Sequence, residues 1–545
     1  MNPSVSFNTQ LTTHAYLNDV PANQLLSALH GLLDDYRKEK SELIEFRALM
    51  INHGFKNLNH YFRANSVNAT ITSGDLKEKP AIELLKRDFW RQAVSLTNVM
   101  NIMPAKLKIE WAEQFEEGNQ RVSENGFRSV KKYVGIPDFD ETTVLPTIEG
   151  LLKDRNQFFR ERVVGVFDSL SKSHLTNKPF GFSAKLILAS VSDEDGEIHA
   201  IQSNYIEDLR IIVAFFHGHT NPEFNNNKSM LRCVFKTPGV WVEIDGGAIQ
   251  LKGFKNGNLH ISIHPEMAWK MNMVLAESLS DLIPSALRKP SEKTVKSYPL
   301  MSKTLHPGVC ENLFRLVTEG KVTLHNGTHR IWVMNAFYKF ESETLYCLYA
   351  IGGVLNEGKF AVEFDYDPAE ALKHMGFVGV IPEKISHQFY PSPEVISRVV
   401  DDLLDYESGE TLCEPEAGRG DLLRFIPADP DDVTVVEISE LYCRVLRSRF
   451  SNVVKADFLE WSRSAPRFDK IVMNPPFSDG RALAHLEAAS RLVKKRLVAV
   501  LPASLKDKKL LGSEYNEQWF ENTFDDVFEG TAVSVAILIV EPATF

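Results

Sequence analysis

The run Asp469-Lys470-Ile471-Val472-Met473-Asn474-Pro475-Pro476-Phe477 constrains this 545-residue chain more than any other stretch. Ile471, Val472 and Met473 read as a buried strand. The prolines after Asn474 stop it, because proline donates no ladder hydrogen bond and its ring fixes φ. A side-chain amide is thereby held at a strand's carboxyl end, the edge of an open α/β sheet where ligands bind.

The same grammar recurs upstream. Residues 411–414 form a strand leading into Pro415-Glu416-Ala417-Gly418-Arg419-Gly420-Asp421, where two glycines let backbone approach a ligand that side chains would block. The third glycine of a dinucleotide fingerprint is missing, which disfavours a pyrophosphate. Further on, the strand 433–436 ends in Glu437-Ile438, and a carboxylate there can accept from both ribose hydroxyls. The strand 453–456 ends in Asp457-Phe458, an acceptor for an adenine amine beside a ring that can pack on the base. Either acid alone could be a helix cap; their placement at successive strand ends argues for a nucleoside site. Tyr390-Pro391-Ser392-Pro393 opens an amphipathic helix over 394–404. Beyond Phe477 the pattern predicts a helix over 481–494, a fifth strand at 497–502, a short sixth at 526–528 and a seventh at 533–540, the last antiparallel.

In this order the segments resemble motifs X, I, II, III and IV of the class I S-adenosylmethionine-dependent amino-methyltransferases, and Asn474-Pro475-Pro476-Phe477 resembles the form found in DNA N6-adenine enzymes. The resemblance implies an α/β chain whose C-terminal part is a seven-stranded Rossmann-like methyltransferase sheet. It implies S-adenosyl-L-methionine as cofactor, held by Tyr390, Ser392, Pro393, Glu414, Pro415, Ala417, Gly418, Gly420, Glu437, Ile438, Asp457, Phe458 and Asn474. Catalysis falls to Asn474, Pro475, Pro476 and Phe477. The Asn474 side-chain oxygen and the Pro475 carbonyl would accept the two N–H bonds of an adenine amine, and Phe477 would stack on a base flipped out of duplex DNA. RNA amino-methyltransferases also carry NPPF. Protein glutamine methyltransferases typically have Tyr where Phe477 stands. A DNA-binding or host-interaction protein retaining a cofactor domain is the non-enzymatic alternative.

The preceding residues divide by pattern into a mainly helical region (1–185), an α+β region (186–290), and a linker with a small connecting subdomain (291–380) before the methyltransferase domain (381–545). Leu25, Leu29, Leu32, Tyr36, Leu43 and Phe46 fall at helical spacing, a second helix follows Pro80, and a third covers 151–170. Lys86, Arg87 and Arg91 flank Phe89 and Trp90, and Lys153, Arg155, Arg160 and Arg162 surround Phe158 and Phe159. Such interleaving suits phosphates and bases, although core aromatics under a solvated face explain it better. Between 186 and 290 short β runs at 241–244, 248–254 and 259–263 are separated by Asp245-Gly246-Gly247 and by Lys255-Asn256-Gly257-Asn258, turn signals of a β-meander, and a helix follows at 267–282. The segment from Phe254 to Ile263, FKNGNLHISI, resembles an uncharacterised domain of phage and plasmid proteins that is often fused to a methyltransferase. His217 with His219, and His260 with His264, lack carboxylates or cysteines at ligand spacing, so no metal is expected. A linker is predicted at 288–300, a hairpin at His325-Asn326-Gly327, and a β run over 345–351.

Charge decides where a polyanion could bind. The net charge is −11, and residues 381–545 carry 19 Lys+Arg against 28 Asp+Glu, leaving 42 against 44 for residues 1–380. The first 380 residues are the less repulsive part. Target recognition is therefore expected there or in the loop 504–522, since the chain ends at Phe545 beside the seventh strand. The five cysteines form no CxxC pair, which predicts reduced thiols. The N-terminus lacks a signal-peptide pattern and the longest apolar run, 532–540, is too short for a bilayer span, so a cytoplasmic, stand-alone, phage- or mobile-element-type enzyme is expected.

Overall fold

The computed structural model describes residues 22–53, 60, 76–124, 128–170, 176–219, 222–279, 282–290, 300–301, 303–333, 341–356, 358, 360–381, 391–477, 480–528 and 533–543. It divides into two compact units, Met1–Ser302 and Lys303–Phe545.

In the first unit the long helix Ala22–His53 buries Leu25, Leu29, Leu33 and Tyr36, while Phe46 is 52% exposed. The apolar stripe thus meets a core only in its first half. The helix Glu78–Ser95 carries Phe89 and Trp90 inward at 3% and 1% exposure. Trp90 Nε1 donates to the Pro137 carbonyl at 3.0 Å, and buried Lys86 pairs with Asp138 at 2.6 Å. Phe159 and Arg162 are fully buried too, Arg162 lying 3.4 Å from Asp208. Phe89, Trp90 and Phe159 are therefore core residues, with no face left for a nucleobase.

The single helix expected over 151–170 is two, Glu141–Lys153 and Arg155–Ser169, broken at Asp154. Asp140 caps the first by accepting from Thr143 N at 3.0 Å. A hairpin of β1 (Asn119–Glu124) and β2 (Arg128–Tyr133) interrupts the region expected to be helical. Its many charged residues mask the strand pattern. Beyond it, β3 (Lys185–Leu188), β4 (Val242–Ile244), β5 (Ile249–Gly253) and β6 (Leu259–Ile263) form an antiparallel sheet in the order β3-β6-β5-β4. The meander lies where its turns indicated. Two helices that the sequence pattern missed, Ala200–Phe216 and Asn227–Lys236, separate β3 from β4. The helix Pro265–Ser278 follows β6, capped by His264, whose Nδ1 accepts from Glu266 N at 3.2 Å. Among the described residues no group of three His, Cys, Asp or Glu is placed to hold a metal ion, and no helix is long and apolar enough to cross a membrane.

The second unit opens with the helix Pro307–Thr318 and a four-stranded sheet, β7 (Val322–His325), β8 (Thr328–Trp332), β9 (Val354–Asn356) and β10 (Ala361–Phe364), in the order β7-β8-β10-β9. Asn326-Gly327 turns the β7–β8 hairpin, with φ of 50° and 77°. The β run expected over 345–351 is instead the C-terminal part of a helix, Glu341–Ala350, burying Thr344, Cys347 and Leu348 at three- and four-residue spacing. Its short apolar stretch fits either period, and tertiary packing chose the helix.

The remaining strands are β11 (Leu412–Glu414), β12 (Val433–Glu437), β13 (Asn452–Lys455), β14 (Phe468–Met473), β15 (Val493–Pro502), β16 (Tyr515–Phe524) and β17 (Val535–Pro542). They make one seven-stranded sheet in the order β13-β12-β11-β14-β15-β17-β16. The first five are parallel, and β17 is antiparallel to both β15 and β16. The sixth strand is thus 515–524, not 526–528, and it takes up much of the loop assigned to recognition at 504–522. Both sheet faces are covered: Val472, Val498 and Ile537 belong to one core, and Ile471, Met473, Leu497 and Leu538 to the other. Strands buried on both faces read as continuous apolar runs, which is why β14 and β15 are conspicuous in the sequence.

Candidate active site at the carboxyl edge of the sheet

Strand β11 lies between β12 and β14, so the chain leaves it in opposite directions on its two sides, and the carboxyl end of such a strand is where open α/β sheets bind ligands. At this edge the loop 415–421 turns on Gly418 and Gly420, at φ of 54° and 79°. A Cβ on Gly420 would stand 3.2 Å from Phe450 and 3.3 Å from Leu446. Left-handed backbone and close packing thus require glycine there.

Glu437, at the tip of β12, is 8% exposed. Its carboxylate accepts from Gly418 N at 2.8 Å and Ser439 N at 2.7 Å. Burial nevertheless pushes its pKa up to about 7, the backbone donors opposing the shift only in part. Glu414, at the tip of β11, is 2% exposed, and burial among Asp421, Glu416 and Glu437 raises its pKa strongly. Its Oε2 has no hydrogen-bond partner among the described residues, and neither does Oε2 of Glu416.

Asp457 follows β13 and caps the short helix Phe458–Trp461, its Oδ1 accepting from Leu459 N at 2.8 Å and Glu460 N at 3.3 Å. The capping role that a strand-end acid can always play is thus present here, on one of the two carboxylate oxygens. Phe458 is buried against Trp461 and His485.

At the end of β14, half-buried Asn474 donates from Nδ2 to the Ser392 hydroxyl at 3.1 Å. The serine before the helix Glu394–Leu404 thus occupies the amide's donor side and turns its oxygen the other way. Pro475 is buried, Pro476 half-buried, and Phe477 packs against both cores of the sheet. Pro393 stands at the N-cap of that helix, and Ser397 Oγ donates to the Asp421 carbonyl at 3.0 Å, tying the helix to the glycine loop. Pro415 and Ala417 are buried in the loop, whereas Ile438 is 56% exposed. Tyr390 lies outside the described residues.

Three features escaped the sequence reasoning. His485, on the helix Arg481–Ser490, contacts Glu416 through Nδ1; one histidine among 16 carries no spacing signal. Lys470, inside β14 and 5% exposed, donates to the Leu404 and Asp405 carbonyls at 3.0 and 2.6 Å. A cation is favoured at a helix's carboxyl end, and this one joins β14 to the helix Glu394–Leu404. Arg419, between the two glycines, pairs with Asp421 at 3.1 Å and donates to the Tyr349 carbonyl at 3.1 Å. A charged residue inside an interrupted apolar run gave the only warning of Lys470.

Residues 82–281 match a family model described as a domain of unknown function (DUF4942), and the segment FKNGNLHISI falls within it. No curated protein matches the chain. Among solved structures, TrmN from Thermus thermophilus is 17% identical with a TM-score of 0.23, the match covering 27% of this chain and 48% of that one. The chain thus spans about half the length of that structure. The 23S rRNA methyltransferase ErmE is 18% identical with a TM-score of 0.24, over 29% of this chain and 70% of that one. A dimethyladenosine transferase from Plasmodium falciparum is 14% identical with a TM-score of 0.24, over 28% and 64%.

Proposed function

We propose that residues 381–545 bind S-adenosyl-L-methionine and transfer its methyl group to the N6 amine of adenine in DNA. The observation that carries the reading is the gathering, along one sheet edge, of the glycine loop, Glu437, Asp457-Phe458 and Asn474, with Asn474 oriented by Ser392. The buried acids also suit the cofactor. Glu414 and Glu416 each present an oxygen without a partner among the described residues, and clustered carboxylates destabilise one another until a cation or donor arrives. The proposed cofactor is cationic at sulfur and carries an ammonium and ribose hydroxyls.

When bound, it supplies a methyl on a sulfonium whose departure needs no acid. Glu414 would meet the ammonium, Glu437 the ribose, and Asp457 with Phe458 the adenine. The exocyclic amine of the target is a weak nucleophile because its lone pair is delocalised. The Asn474 oxygen and the Pro475 carbonyl accept its two N–H bonds, draw the nitrogen toward tetrahedral geometry and aim the lone pair. Catalysis is then orientation and electrostatics. Phe477 offers the face on which an extruded base stacks.

The test uses tritiated cofactor with DNA, RNA and ribosomal protein as acceptors, beside Asn474→Ala. Label in DNA adenine, lost by roughly a hundredfold or more in the variant even at saturating cofactor, is the expected result. Label confined to RNA or protein, or undiminished by the substitution, refutes the proposal.

A further inference from the structure

A cleft of about 1100 Å³ lies in the second unit beside the glycine loop, and Glu437, Asp457, Phe458 and Asn474 are not among its walls. One wall comes from the four-stranded subdomain and the helix Glu341–Ala350, the other from the seven-stranded domain through Arg419, Arg424 and Arg449. Tyr346 and Tyr349, one turn apart on that helix, are 64% and 36% exposed. They stand on the face away from buried Thr344, Cys347 and Leu348.

The charges run against those of the chain. Lys303 joins the three arginines, giving four cations against the acids Glu363, Asp365 and Asp421. Each acid is already held by an arginine: Asp421 by Arg419 at 3.1 Å, Asp365 by Arg449, and Glu363 by Arg330 at 2.7 Å. Arg419 and Arg449 are thus engaged by two of these acids, and the lining carries one cation more than it has acids, so a protein of net charge −11 presents here a tyrosine-faced cleft without an acidic excess. Pro391 also lines it, and the next residue, Ser392, holds Asn474. The cleft therefore runs up to the segment that orients the proposed acceptor-binding amide.

We infer that this cleft seats a nucleic-acid strand, with a phosphate on Arg424 and bases stacked on Tyr346 and Tyr349. A guanidinium neutralises a phosphate, and aromatic faces take any base. The inference rests on the methyltransferase proposal for the identity of the adjoining site. It gives the small subdomain, whose role the sequence left open, the task of holding the polymer while the sheet edge acts on one nucleotide.

The experiment measures fluorescence anisotropy of labelled single-stranded DNA, duplex DNA and RNA with the full chain over a range of salt concentrations. Tyr346→Ala, Tyr349→Ala and Arg424→Ala are compared with wild type, and tritiated S-adenosylmethionine binding is measured by dialysis. Wild type is expected to retain at least one polymer. Each tyrosine substitution is expected to weaken it between about fivefold and a hundredfold. Arg424→Ala is expected to reduce the slope of log affinity against log salt by about 1, and all three variants are expected to keep the cofactor. The inference is overturned if wild type binds none of the polymers, if the variants bind as wild type does, or if saturating cofactor displaces the polymer competitively. Polymer binding without any cofactor binding by wild type would refute the methyltransferase proposal and leave the cleft assignment standing.

Discussion

Glu437 gives the sharpest test of the site's electrostatics. Its carboxyl is pushed from an ordinary 4.5 up to about 7 by burial, while Gly418 N and Ser439 N donate to its two oxygens. In the unfolded chain the same group ionises near the ordinary value, so between about pH 4.5 and 7 the folded state binds more protons than the unfolded one. Stability from this group is therefore fully present below the unfolded pKa and is lost as pH rises through the folded one. A carboxyl ionising near 7 rather than near 4.5 corresponds to about 3 kcal/mol.

Glu437→Gln removes that dependence. The glutamine oxygen keeps one backbone donor, and its amide confronts the other, at a cost of about 1–2 kcal/mol at every pH. At pH 5 the variant is expected to be less stable than wild type by that amount; at pH 8 the release of a buried charge offsets or exceeds the loss. Urea unfolding of both proteins without cofactor, followed by amide exchange at Gly418 and Ser439, reads the difference. The gap between variant and wild type should change by about 3 kcal/mol across this range. Parallel pH profiles would show that Glu437 ionises normally and that burial is not what tunes it.

Other substitutions address the supports. Lys470→Ala leaves two helix-end carbonyls and Glu410 without this cation and should lower stability by about 2–4 kcal/mol, seen as a fall in the thermal midpoint. Gly420→Ala forces a methyl into contact with Phe450 and Leu446 at positive φ, and should cost about 1–3 kcal/mol and weaken cofactor binding measured by dialysis. Ser392→Ala frees the Asn474 amide to rotate. It should lower kcat about tenfold with KM for cofactor little changed, and Ser392→Thr should restore much of the loss.

The residues of the sheet edge were legible because their local chemistry is unusual. Pro475-Pro476 cannot extend a strand, Gly418 and Gly420 occupy positive φ, and acids recur at strand tips. Elements lacking such marks were misread. Residues 345–351 carry apolar residues that serve a strand or a helix equally, and their packing made them helical. The sixth strand, Tyr515–Phe524, is polar at most positions, because as the edge strand it pairs, among the described residues, with β17 alone. The basic and aromatic run around Phe89 and Trp90 was read correctly as core aromatics under a solvated face, since both rings are buried.

Proline, glycine and short apolar runs act through nearest neighbours, so the groups at the strand ends and their order are written along the chain. Which of them meet depends on how distant segments pack. Ser392 lies 82 positions before Asn474, Glu416 lies 69 before His485, and Arg419 lies 70 beyond Tyr349. Such pairs are set by strand order and by helices laid across the sheet, and no local pattern in the chain encodes a hydrogen bond between residues so far apart.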